Sequence, residues 1–362
     1  MDQGLSNEDF KEAYHGYILR KIIFITGVVI GLIVLSGYSI TVSARDISFS
    51  RGLDAIWNHI SGAELEFNTT PYWDEYIVWN DCMPRVLAGI ITGAGLAACG
   101  AAMQTVLRNP LAEPYTLGIS SGAVFGASLA IIVGFTVAGA GQYAVVSNAF
   151  VFGLIPSIVI IMLVGMMKGL SPVTMILAGT AISYFFSGLT SLMMVMTDDD
   201  TMYQTFQWEI GSLGRIHGWG NLGLMAVGTA VCSIGIMLLS KYLNALAQGD
   251  KTAIGLGVDV DRIRYLILIL STFIVAVLLS FTGLIGFVGL LAPHMVRMVI
   301  GGDNRYVVPG AMAAGALILL FADTVSRLIS DVGIPVGAVM MFIGSPIFLY
   351  IMLSRRSTGA VF

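Results

Sequence analysis

Apolar residues in this chain fall into long, nearly uncharged runs separated by short polar turns. Neither strand alternation nor the one-sided stripe of a water-soluble helix describes them. Runs of about 20 apolar residues at 1.5 Å each match the hydrocarbon core of a bilayer. They predict an all-α, polytopic membrane protein with about ten spans, near residues 22–42, 84–107, 115–137, 148–167, 173–196, 221–240, 265–281, 284–300, 307–329 and 335–353.

The chain is organised around residues 83–122. Pro84 and Arg85 open a charge-free run there, and the turn Arg108-Asn109-Pro110-Leu111-Ala112-Glu113-Pro114 leads into a second run rich in Gly and Ser. Gly89, Gly93, Ala97 and Ala101, then Gly118, Gly122 and Gly126, recur at four-residue spacing. Such spacing puts small side chains on one stripe, where helix backbones approach closely, so packing is the role it predicts. The two prolines of the turn end one helix and start the next.

The polar segments set the rest of the plan. Residues 1–21 read as a cytoplasmic N-terminal segment, 22–353 as a single transmembrane domain and 354–362 as a cytoplasmic tail. The first run follows a polar lead containing Asp2, Glu8, Asp9 and Glu12. A cleavable signal peptide has a short basic start instead, so the first helix is expected to stay. Residues 43–82 are the longest polar stretch, an external loop rich in Asp and Glu with only Arg45 and Arg51 before its end. Residues 208–215 are expected to form a short interfacial helix.

Charge adds an orientation. With the N-terminus in the cytoplasm, thirteen of the 18 Lys and Arg lie inside; Arg45, Arg51, Arg85, Arg215 and Arg327 lie outside. Positive residues collect on the cytoplasmic side, so both termini are placed there, in a multi-pass protein of the cytoplasmic (inner) membrane. Asn68-Thr69-Thr70 then faces outward as a glycosylation sequon, a triplet common by chance. Composition agrees: 56% of residues are hydrophobic and only 11% charged, against about 25% charged in soluble domains. A net charge of −4 gives no argument for a nucleic-acid partner. Three cysteines without CxxC spacing suggest neither a disulfide framework nor a zinc site.

No cofactor, metal centre or catalytic group is indicated. A proton- or sodium-coupled secondary carrier, the rival reading, usually keeps an Asp, Glu or His at mid-membrane; here Glu113 lies in an inner turn, while Asp323 and Arg327 lie near the outer end of the ninth span. Four residues apart on one helix face, Asp323 and Arg327 can pair with each other. No GxxxxGK[ST] loop is present for ATP hydrolysis. Free energy must therefore enter through another polypeptide. Its expected landing place is the mixed-charge segment 241–264. Within it, residues 246–264 fit two short helices broken at Gly255 and Gly257, with a small-residue face at Ala253, Gly255 and Gly257.

These stretches resemble the FecCD/BtuC-like permease subunits of type II ABC importers, the family that carries cobalamin, ferric siderophores and haem. The matching motifs are MPRVLAGIITGAGLAACGAAMQTVLRNPLAEPYTLGISSGA (83–123), DKTAIGLGVDVDRIR (250–264), TGLIGFVGLLAPHMVRMVIGGDNR (282–305), PGAMAAGALILLFADTVSR (309–327) and GIPVGAVMMFIGSPIFLY (333–350). They cover most of residues 83–353 in the family's order.

The resemblance implies a ten-helix type II importer permease fold and a homodimer with its substrate path at the dimer axis. Two cytoplasmic ABC ATPase subunits would press on Asp250, Lys251, Thr252, Ala253, Gly255, Leu256 and Gly257, and an extracellular or periplasmic substrate-binding protein would dock on Arg85 and Arg327. By position, Asn109, Leu111, Leu170 and Ser171 would line the cytoplasmic gate. The first arginine of the family's Arg-Leu-Pro-Arg is absent from Asp81-Cys82-Met83-Pro84-Arg85. The implied cargo is a metal chelate, a ferric siderophore or a corrinoid ahead of haem.

Overall fold

The computed structural model describes residues 7–43, 45, 47–137, 139, 141–166, 171–329 and 334–356. Helices follow one another as α1 (Asn7–Thr41), α2 (Phe49–Ser61), α3 (Thr70–Val106), α4 (Ile119–Val133), α5 (Ala144–Met166), α6 (Pro172–Val195) and α7 (Asp199–Glu209). Then come α8 (Leu222–Leu238), α9 (Ser240–Ala247), α10 (Asp250–Gly255), α11 (Val260–Thr282), α12 (Val288–Ile300), α13 (Asn304–Ile329) and α14 (Val336–Arg356). Six of them, α1, α3, α5, α6, α11 and α13, are long and apolar enough to cross a membrane. The pair α8–α9, bent by 53°, is long and apolar enough for a further span when its two helices are taken together, and α4, α12 and α14 are shorter apolar helices. These ten units overlap the ten predicted runs.

Several boundaries differ from the hydropathy reading. Helix α1 begins at Asn7, because charge marks the membrane edge and not the end of a helix. Residues 43–82 are largely helical: they hold α2 and the first turns of α3, which starts with Pro71 in its first turn and passes through a π-turn at Val78–Cys82. The helix expected at 208–215 lies earlier, as α7. Asp198 caps it by accepting from the Thr201 N–H at 2.9 Å, with Asp199 and Asp200 in the first turn. Acidic residues favour a helix N-terminus, and the Asp run marks this helix start.

The small-residue stripes are packing surfaces. A Cβ on Gly93 would stand 2.4 Å from the Gly315 carbonyl oxygen, so α3 and α13 touch backbone to backbone. A Cβ on Gly122 or Gly126 would meet the carbonyl of Phe152 or Asn148 at 2.5 Å, joining α4 to α5 in the same way. Close approach of this kind lets dispersion hold helices where lipid offers no hydrophobic drive.

Helices α4 and α12 are short because irregular segments before them run into the bundle. Tyr115 Oη donates to the Ile285 carbonyl at 2.9 Å, and a Cβ on Gly289 would lie 2.6 Å from Pro114. Gly211 N donates to Leu284 O at 3.0 Å, Ser212 N to Thr282 O at 2.8 Å and Gly337 N to Gly211 O at 2.8 Å. Buried irregular backbone must find its partners within the protein, and these bonds supply them.

Candidate functional site

Three groups of side chains stand out, two at the end of the bundle that carries the segment 240–259 and one at the opposite end. At the elbow end, α9 and α10 are broken at Gly249, whose φ of +111° suits glycine. The break expected at Gly255 and Gly257 is present as well: Gly255 ends α10, Gly257 turns the chain at φ +79° and α11 begins at Val260. Asp250 opens α10. It is ion-paired to Arg108, at the end of α3, and accepts from Arg264 Nη2 of α11 at 2.8 Å. Arg264 is almost fully buried.

Lys251, Thr252, Gly255, Leu256 and Gly257 are exposed, whereas Ala253 is fully buried. Ala253 lies one turn after Asp250, on the face that the two arginines hold inward. The expected small-residue face is therefore not one surface. What projects outward is Ile254 and Leu256, 63% and 66% exposed.

The turn after α3 adjoins this elbow through Arg108. Asn109, half-buried, accepts from the Leu111 N–H at 2.9 Å, an Asx-type turn that fixes the chain ahead of Glu113. Leu111 and Ser171 are exposed. Leu170 lies outside the described residues. Tyr115, just past the turn, ties it to the segment before α12 through its bond to the Ile285 carbonyl.

Behind the turn is a polar cluster that sequence reading missed. Arg297 of α12 donates to the Ala101 carbonyl at 2.8 Å and Thr105 Oγ1 at 3.1 Å, and bonds to Gln104 as well. Asn244 of α9 donates to Asp303 at 2.7 Å and accepts from the Asn304 N–H at 2.7 Å, fixing α9 against the start of α13. Burial would raise the Asp303 carboxyl, but hydrogen bonds from Arg305 and Asn244 outweigh it and hold the group at about 2. The signal available was Gly301-Gly302-Asp303-Asn304, a helix-start pattern.

At the opposite end, Asp323 sits fully buried between two arginines. Arg85 Nη2 lies 2.8 Å from Asp323 Oδ1, and Arg327 Nε lies 3.1 Å from Oδ2. The expected Asp323–Arg327 pair is present, and Arg85 from α3 joins it. Arg327 also donates to the carbonyls of Ser39 at 2.9 Å and Val42 at 2.5 Å, and is 7% exposed; Arg85 is 18% exposed. Nearby, Tyr143, Trp208, Arg215, His217, Asn221 and Phe281 help line a cavity of about 390 Å³. Burial lowers Arg215 to about 10; its guanidinium donates to the Thr282 carbonyl at 3.2 Å and lies 5.7 Å from the Trp208 ring centre.

A bundle of membrane-crossing helices, interrupted by irregular segments, with a polar elbow at one end and a cationic cluster at the other, defines a membrane permease. The chain belongs to the FecCD transport family, whose profile matches residues 31–354. It is 36% identical over 353 residues to an ABC transporter permease protein of Methanocaldococcus jannaschii, covering 95% of this chain and 98% of that one. The hemin transport system permease protein HmuU of Yersinia pestis is 34% identical over 327 residues, covering 90% and 93%. A solved structure described as an inward-facing ABC transporter of metal-chelate type superposes with a TM-score of 0.78 at 29% identity, covering 91% of this chain and 98% of that one. The chain is thus a permease subunit of a type II ABC importer and not itself an enzyme; ATP hydrolysis in such systems lies in a separate subunit.

Proposed function

We propose that two copies of this chain form the membrane pathway of a metal-chelate importer that alternates between outward- and inward-open states. Two cytoplasmic ATPase subunits drive it through the elbow, and an external binding protein delivers the cargo. Both termini then lie in the cytoplasm, as the distribution of Lys and Arg favours.

The junction of Arg108, Asp250 and Arg264 carries this reading. It connects the exposed apolar pair Ile254 and Leu256, a surface an ATPase groove can grip, to the turn holding Asn109 and Leu111. Together with Ser171, which precedes α6, and with Leu170, assigned from the sequence, that turn is assigned as the cytoplasmic gate, a ring of apolar and amide side chains closing a pore against water. At the other end, two arginines and one aspartate leave one net positive charge, which suits a carboxylate on a binding protein. Arg85, the more exposed arginine, is its point of contact, and Arg327 acts through its charge. Exposed apolar faces on α6 (Leu177, Tyr184, Val195) and α14 (Phe342, Tyr350) suit the homodimer and its central path.

Relatives are named for hemin, ferric enterobactin, Fe(3+)-citrate, cobalamin and molybdate. Ferric siderophores and corrinoids are the proposed cargo classes, ahead of haem. Uptake of labelled cobalamin and of a ferric siderophore by the complete complex in proteoliposomes tests this choice; accumulation of neither would remove both.

A further inference from the structure

We propose that α2 is a membrane-surface anchor whose apolar face rests in the leaflet at the end of the bundle opposite the elbow. At 100° per residue, α2 presents three faces. Gly52, Ala55 and His59 form the first and pack inward; Gly52 and Ala55 are buried. A Cβ on Gly52 would come within 2.8 Å of Thr41 at the end of α1, and His59 stacks on Trp79 with ring centres 3.8 Å apart while its Nδ1 lies 2.7 Å from Glu75. Arg51, Asp54 and Asn58 form the second, polar face, from which Arg51 makes two 2.7 Å bonds to the buried Asp74. These contacts fix the helix rigidly to α1 and α3.

Phe49, Leu53, Trp57 and Ile60 form the third face, and each is more than half exposed. Four large apolar side chains on one strip are out of place in water. Their surface continues that of α1: the Phe49 ring lies 3.7 Å from where a Gly37 Cβ would stand. Helix α1 itself exposes Ile30, Ile33, Val34 and Tyr38 along its membrane-crossing length. The two helices therefore share one apolar surface, and lipid, which covers it on α1, covers it on α2. Exposed Phe67 and Tyr76 beside α2 add the aromatic residues found at bilayer interfaces. A moderately apolar helix with a charged opposite edge lies in the interface and does not cross it.

This inference needs only that the chain spans a bilayer. It stands or falls separately from the cargo and the ATPase. Nitroxide labels at Trp57→Cys and Asp54→Cys, in the full chain in lipid nanodiscs, report collisions with oxygen, enriched in lipid, and with a water-soluble nickel chelate. The expected result is oxygen-dominated relaxation at 57 and nickel-dominated relaxation at 54. Nickel-dominated relaxation at both would overturn the proposal, as would shielding of 57 from both reagents, which would signify a second copy or a binding protein. As a second readout, lipids brominated near the headgroup should quench the intrinsic fluorescence, and Trp57→Phe should remove part of that quenching; quenching unchanged by the substitution counts against the anchor.

Discussion

Arg108, just past the end of α3, is ion-paired to Asp250, the first residue of α10, so the turn that holds Asn109 and the elbow are joined by side chains from segments 142 residues apart. Both residues are more than a third exposed, and such pairs contribute only about 0.2–1 kcal/mol. Arg108→Ala should therefore leave the melting temperature of the purified protein nearly unchanged while uncoupling the partner, so that ATP is hydrolysed with less cargo moved per ATP. Transport and hydrolysis measured side by side in proteoliposomes check this. An unaltered ratio of cargo to ATP would show that the pair carries no motion.

Asp323 is a different case, because it is fully buried between Arg85 and Arg327. Removing one partner of a buried ion cluster leaves uncompensated charge at a cost of about 3–5 kcal/mol. Asp323→Ala should lower thermal stability strongly. The double variant Asp323→Ala, Arg327→Met should recover part of the loss, since one orphaned guanidinium is gone. Thermal melts in detergent compare the two; equal losses would contradict the ion-cluster account.

Two glycines should respond in opposite directions to the same substitution. A Cβ on Gly100 would lie 1.8 Å from the Gly289 carbonyl oxygen, a backbone atom that cannot step aside. Gly100→Ala should destabilise by about 1–3 kcal/mol or more. Gly255, at the end of α10, has open space around it. Gly255→Ala should be tolerated or stabilise the elbow by up to about 1 kcal/mol. Expression level and melting temperature of the pair read out the contrast.

How much of this was legible beforehand follows from what bilayers demand. Run length and lack of charge revealed ten helical units, because a span must be apolar along its whole length. Spacing of small residues marked the close-packing stripes on α3 and α4, but not that α13 and α5 are the helices they meet. Hydropathy does not mark where a helix ends once it leaves the membrane, so the first turns of α1, all of α2 and the first turns of α3 were hidden. Ala253 could not be placed inward from sequence, since a six-residue helix has too few turns to show a period. Pairings such as Arg85 with Asp323 join residues 238 positions apart, and charges at two span ends do not announce which one they meet.

Asp303 should make stability depend on pH in one direction. Hydrogen bonds from Arg305 and Asn244 overcome the effect of burial and hold its carboxyl near 2, against about 3.9 in an unfolded chain. A carboxyl lowered by folding stabilises the native state above the unfolded value, and that contribution fades as pH falls through the folded one. The difference in melting temperature between wild type and Asp303→Asn should therefore hold steady from pH 7 to pH 5 and shrink below about pH 4. A difference that grows with acidity would reverse the assignment.

The central claim, that force enters through the elbow from a separate nucleotide-hydrolysing subunit, is tested most directly by cargo accumulation in proteoliposomes holding the chain with and without its co-purified ATPase. Accumulation should require both that subunit and ATP, and should fail when Ile254→Asp breaks the apolar contact of the elbow. Accumulation driven by a proton or sodium gradient, with no ATPase present, would contradict it.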